Sequence, residues 1–106
     1  VINLRDERFE YYDSMGGIST GQTVLSNVDR YIQEELRNKK KESRTMLWKY
    51  YLPSDIPQQA NSYDCGVFAC QFANYVSRDE NFSFSQKNME YMRHRMVVDI
   101  LKQQVL

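Results

Sequence analysis

Cys65 stands at the head of an apolar run, in the stretch Gln58-Gln59-Ala60-Asn61-Ser62-Tyr63-Asp64-Cys65-Gly66. A cysteine that opens a helix has free backbone N–H groups and the positive end of the helix dipole at its sulfur, which favours the nucleophilic thiolate. Gly66 leaves room for a substrate to approach, and its N–H lies near any oxyanion formed there. Asp64 is placed to cap the helix. Cys70, one turn further in, lacks these advantages and reads as a small buried hydrophobe. A thiolate needs a base, and the base needs an orienting group. Asp13, where the Tyr11-Tyr12 run ends before Gly16-Gly17, could orient a base or could be an ordinary turn aspartate. The only histidine, His94, lies between Arg93 and Arg95 and two residues from both Met92 and Met96. That spacing points it away from the apolar stripe, onto the surface. The residues alone offer a nucleophile and an orienter without a base.

The elements that must position these groups follow from periodicity. Residues 1–4 and 9–12 are short β-rich runs, and the charged turn Arg5-Asp6-Glu7-Arg8 between them predicts a hairpin. Val24, Leu25, Val28, Tyr31, Ile32 and Leu36 recur at helical spacing, so residues 21–38 form an amphipathic helix capped by Ser19 or Thr20. Met46, Trp48, Tyr50 and Leu52 alternate as in a strand, with Trp48 in the core. Pro53 and Pro57 bound an extended loop. Val67, Phe68, Phe72, Tyr75 and Val76 mark a mostly buried helix over 66–77. Met89, Met92, Met96, Val97, Ile100 and Leu101 mark a last helix over 86–104 with Ser85 as its cap, its methionines filling core space. Strands and helices interleave without the regular alternation of a doubly wound sheet, so the fold class is α+β.

Composition narrows the function. At 106 residues, 42% hydrophobic and 13% aromatic, the chain is a single ordered domain at most. Fourteen basic residues balance fourteen acidic ones, which argues against nucleic acid or an acidic membrane surface as partner. The basic cluster Lys39, Lys40, Lys41 and Arg44 reads as a solvated helix end. No apolar run approaches the roughly 20 residues of a membrane span, and no signal peptide is visible. Cys65 and Cys70 are about 500° apart on a helix, which rules against a disulfide between them. Two cysteines do not supply the four ligands of a structural zinc site, and free thiols fit a reducing compartment. The chain opens at Val1, inside an expected strand, and reads as an excised piece of something longer.

The run from Ile56-Pro57-Gln58-Gln59 through Asn61 to Asp64-Cys65-Gly66 resembles the nucleophile motif of the SUMO-specific cysteine proteases, the sentrin/ubiquitin-like-protease family, written I-P-Q-Q-x-N-x-x-D-C-G. Tyr12-Asp13-Ser14 resembles the family's Y-x-D-S segment. Phe84, Gln86, Met89, Arg93, Arg95, Met96, Val97, Ile100 and Leu101 resemble its closing helix. Asn3 departs from the usual aspartate, with no effect on chemistry expected.

The resemblance implies a papain-like fold, of which residues 1–106 are the C-terminal part. It implies Cys65 as nucleophile, Asp13 as orienter of the catalytic histidine, and Gln59 as oxyanion donor with the Cys65 N–H as helper. It places that histidine, in a His-Trp pair, and the tryptophans that clamp the diglycine tail before Val1, and it leaves Trp48 out of the clamp. The implied activity is SUMO deconjugation and precursor processing after the C-terminal diglycine, without metal or organic cofactor. The implied partners are SUMO and its conjugates, acted on by a monomer once the domain is complete, and nuclear residence is a family expectation. A NEDD8-specific protease of the same fold and a catalytically inactive binder of ubiquitin-like proteins are the alternatives. The isolated piece is expected to be proteolytically silent and to leave apolar surface uncovered.

Overall fold

The computed structural model describes residues 1–39 and 48–105, and its contacts divide into two compact units, 1–12 with 17–54 and 13–16 with 55–106. In the first unit, Asp6 donates its N–H to Asn3 Oδ1 at 2.9 Å, and Glu7 adopts a φ of 52° to close the turn. The turn joins β1 (Ile2–Asn3) to β2 (Arg8–Glu10) in the expected antiparallel hairpin. Strand β3 (Lys49–Tyr51) pairs with β2 in parallel, giving the order β1-β2-β3. The strands are shorter than the β-rich runs suggest. Tyr11 and Tyr12 lie beyond β2, although the Tyr11 N–H still reaches Tyr51 O at 3.0 Å. Met46, and the Lys40, Lys41 and Arg44 of the basic cluster, lie outside the described residues.

Phe9 is fully buried and packs on Trp48 and Tyr50, with ring centroids 5.3 and 6.0 Å away. Trp48 is therefore half-buried against Phe9 rather than in the core, and it stands just before β3. On the other side of β2 the Glu10 carboxylate is buried and accepts hydrogen bonds from Asn3, Arg8 and Tyr12 at 2.6–2.7 Å. Burial alone would raise this carboxyl. The three donors and the Arg8 charge outweigh it and hold Glu10 below the usual glutamate range. Asn3 matters here, because its amide donates to Glu10 where an ionised aspartate could not.

Helix α1 (Ile18–Asn38) starts earlier than its apolar spacing suggests, and neither Ser19 nor Thr20 caps it. Gly17 holds the N-cap position. Gly16 and Gly17, at φ 88° and 83°, swing the chain through the left-handed region directly into the helix, so both hydroxyl residues fall within its first turn. Gly21 explains how closely α1 lies to its neighbours: a Cβ there would sit 2.5 Å from Tyr11 Cδ1 and 2.8 Å from Leu52 Cδ2. Gly21→Ala is expected to cost about 1–3 kcal/mol in urea unfolding through overpacking. That outweighs the helix-propensity gain of about 1 kcal/mol. A stabilised variant would contradict this packing.

The second unit is built on α2 (Cys65–Ser77) and α3 (Met89–Lys102), the latter entered through a 3-10 turn at Gln86–Asn88. Ser85 caps that turn, as expected, in a reciprocal box with Asn88. Val67, Phe68, Phe72, Phe84 and Met89 are buried. Aromatic contacts bind α2 to the segment after it, with Phe72–Phe82 and Tyr75–Phe84 centroids both 5.1 Å apart. Two expectations fail here. Cys70 is exposed rather than buried, because it lies about 200° around α2 from Phe68, on the face shared with Gly66 and Ala73. Val97, Ile100 and Leu101 are also exposed, so within these residues α3 buries only its Met89 end and half-buries Met92 and Met96. The elements together are α+β. No helix among the described residues is long and apolar enough to cross a membrane.

Candidate active site

The loop before α2 is shaped by one asparagine. Asn61 Oδ1 accepts the backbone N–H groups of Tyr63 and Asp64 at 3.2 and 3.0 Å, and its Nδ2 donates to Asp64 Oδ2 at 2.7 Å. The chain is turned by local side-chain bonds and enters the helix with Cys65 as its first residue. The thiol is exposed, and the space where a Gly66 Cβ would stand is open. Asp64 occupies the N-cap position but makes no side-chain cap bond, contrary to the expectation from its position. Its buried carboxylate is committed elsewhere, to Asn61, to Gln86 Nε2 at 2.9 Å and to the Arg93 guanidinium. The Asn61 and Gln86 bonds, with Arg93 beside them, outweigh burial and hold Asp64 below the ordinary aspartate range.

Gln59 is fixed from both ends. Its backbone N–H reaches Ser14 O at 2.9 Å, its Oε1 accepts the buried Ser14 hydroxyl, and its Nε2 donates to Asn61 O. A carboxamide nitrogen carries two protons, and the Asn61 bond uses one. The second is the group that could meet a developing oxyanion. Asp13, next to Ser14, is half-buried; its Oδ1 accepts the Met15 N–H at 2.9 Å, and its carbonyl accepts the Gly16 N–H and Gln58 Nε2. Hydrogen bonds thus run from Ser14 through Gln59 and Asn61 to Asp64, and Asp13 and Cys65 adjoin the two ends of that run along the chain. His94 is exposed on α3, as its spacing predicts. Among the described residues, no group of three His, Cys, Asp or Glu side chains could hold a metal ion.

Residues 1–105 match the family model described as "Ulp1 protease family, C-terminal catalytic domain". The chain belongs to the Ulp1 protease family. Sentrin-specific protease 2 of Pongo abelii is 40% identical over 109 aligned residues, covering all of this chain and 18% of that protein. Among solved structures, the C-terminal Ulp1 protease domain in complex with Smt3, the yeast ortholog of SUMO, matches with a TM-score of 0.72 at 29% identity. That match covers 87% of this chain and 40% of the solved one. The SUMO protease Ulp1 with its catalytic cysteine oxidised to a sulfonic acid matches with a TM-score of 0.73 at 29% identity, over 87% of this chain and 41% of that one. The chain therefore has the α+β fold of the matched part of a Ulp1 domain, and it spans under a fifth of the sentrin-specific protease.

Within this Ulp1-family frame, sequence reading passed over Ser14, which orients the Gln59 amide, and gave no role to Asn61, Gln86 or Arg93. All four stand in segments that resemble family motifs. The pairing of Ser14, Gln86 and Arg93 across 22 to 45 residues is not visible in any local pattern, whereas Asn61 bonds within three residues of itself.

Proposed function

We propose that the protein carrying this chain is a thiol protease that cleaves after the C-terminal diglycine of SUMO, at isopeptide bonds to lysine or at the peptide bond of a precursor. The observation that supports it most is the Gln59 carboxamide, clamped by Ser14 and Asn61 in the loop that ends at an exposed helix-opening thiol. Relatives and solved neighbours named as sentrin-specific proteases and as a SUMO-bound Ulp1 domain support the substrate.

In this reading the Cys65 thiolate attacks the terminal glycine carbonyl, forming the S–C bond while the carbonyl electrons move onto oxygen. The Gln59 N–H and the Cys65 backbone N–H receive that oxyanion. Collapse breaks the C–N bond, and the amine leaves with a proton from a histidinium that Asp13 orients. Water then hydrolyses the thioester and returns a proton to that histidine. The base is a histidine other than His94, whose ring faces solvent on α3. No metal or organic cofactor takes part.

The test is covalent capture by the full-length protein of SUMO, NEDD8 or ubiquitin bearing a C-terminal vinyl sulfone. SUMO alone should form the adduct. Preferential capture of NEDD8 would reassign the substrate, and reversible binding without capture would make the protein a binder.

A further inference from the structure

Gln86 opens the 3-10 turn before α3, its backbone pinned by the Ser85–Asn88 box and by the buried Met89 that follows. Its half-buried side chain reaches back across 26 residues: Oε1 accepts the Ala60 N–H at 2.8 Å, while Nε2 donates to Asp64 Oδ2 at 2.9 Å. The orientation of the amide is chemically forced, because Ala60 N–H can only donate and the ionised Asp64 can only accept. Ala60 immediately follows Gln59, and Asp64 immediately precedes Cys65. One carboxamide therefore spans the two ends of the segment that separates the candidate oxyanion donor from the candidate nucleophile.

We infer that Gln86 is a positioning residue for the hydrolytic reaction, setting the Gln59 amide at its working distance from the Cys65 sulfur without touching substrate. The inference rests on the proposed protease activity. Arg93, the other charged group on Asp64, comes from α3 and neutralises the carboxylate, but it does not hold Ala60. Asn61 meets both Asp64 and the Gln59 amide from within the segment, and Gln86 is the Asp64 partner that bonds Ala60 as well and does so from outside the segment. Leucine at this position would fill similar volume and make neither bond. Glutamate would keep an acceptor for Ala60 but, when ionised, would set a second carboxylate against Asp64.

The experiment measures turnover of a SUMO–diglycine fluorogenic amide by the full-length protein and its Gln86→Leu and Gln86→Glu variants, with melting temperature and SUMO affinity alongside. Misplacement on the ångström scale costs up to about 100-fold in rate. Gln86→Leu should lower kcat by about 10- to 100-fold, with KM and SUMO affinity little changed. Gln86→Glu should be impaired at neutral pH and recover relative to wild type as pH falls, when the new carboxyl takes up a proton and can donate to Asp64. Wild-type kcat in both variants, or a loss confined to KM, overturns the inference alone. Losses that only track the fall in melting temperature, with no recovery of Gln86→Glu in acid, also overturn it. A wild-type protein that does not turn over the substrate overturns the protease reading, and this inference with it.

Discussion

Cys65→Ser in the full-length protein should abolish vinyl-sulfone capture of SUMO and lower turnover by on the order of 10⁶, the scale seen when the nucleophile of a catalytic triad is removed. The size of the effect follows from the chemistry: a serine hydroxyl at this site remains protonated and lacks the nucleophilicity of a thiolate. Fold stability should scarcely move, because Cys65 is exposed and the helix start is held by Asn61 and the Asp64 carbonyl rather than by the thiol. Cys70 is the internal control. It too is exposed on α2, so a small alkylating reagent should still find it in the variant. Peptide mapping of the SUMO adduct should report Cys65 only, and an adduct that shifts to Cys70 with retained turnover would remove Cys65 from its role.

Gln59→Ala should lower kcat by roughly 10²–10³, about 3–4 kcal/mol of transition-state stabilisation, while SUMO affinity holds. Alanine also strips Ser14 and Asn61 of a partner, so a melting curve must accompany the kinetics. Gln59→Glu separates the two effects. It keeps an acceptor for the Ser14 hydroxyl but removes the N–H and brings negative charge to where an oxyanion would form. Its turnover should fall at least as far as that of the alanine variant. A glutamate variant that turns over normally, or an alanine variant that loses only affinity, would make Gln59 a docking residue.

Periodicity exposed what depends on near neighbours. The helix over 21–38 and the Ser85 cap are each set by contacts within a few residues, and both stand in the structure, the helix as Ile18–Asn38. The thiol at the start of α2 was equally legible, since a polar loop before an apolar run has few other readings. What escaped depends on contacts far along the chain. Phe82 and Phe84 alternate with Asn81, Ser83 and Ser85 and fit no helical stripe, yet they close the aromatic core over α2. Asp64 looked like a cap because caps are local, while two of the three partners of its carboxylate, Gln86 and Arg93, lie 22 and 29 residues away. Gly17 displaced Ser19 and Thr20 as the start of α1 because a left-handed backbone, not a hydroxyl, turns the chain there. Cys70 is exposed because one side of α2 is open, and the mostly buried helix expected over 66–77 gives no sign of which side that is.

The span of the Ser14–Gln59 hydrogen bond bears on the order in which the site comes together during folding. Asn61 and Asp64 are three residues apart, so the turn that delivers Cys65 to its helix closes locally, on the fast timescale of short loops and helices. Ser14 and Gln59 are 45 residues apart, and their meeting must absorb the closure entropy of everything between them. The nucleophile's turn can therefore form well before the amide beside it is oriented. A chain halted partway, on the ribosome or in a refolding tube, would present a helix-borne thiol with no oxyanion donor aligned to it. A bond that forms only after the folding transition state acts on the lifetime of the native state more than on the speed of reaching it. Ser14 then guards how long an assembled site persists.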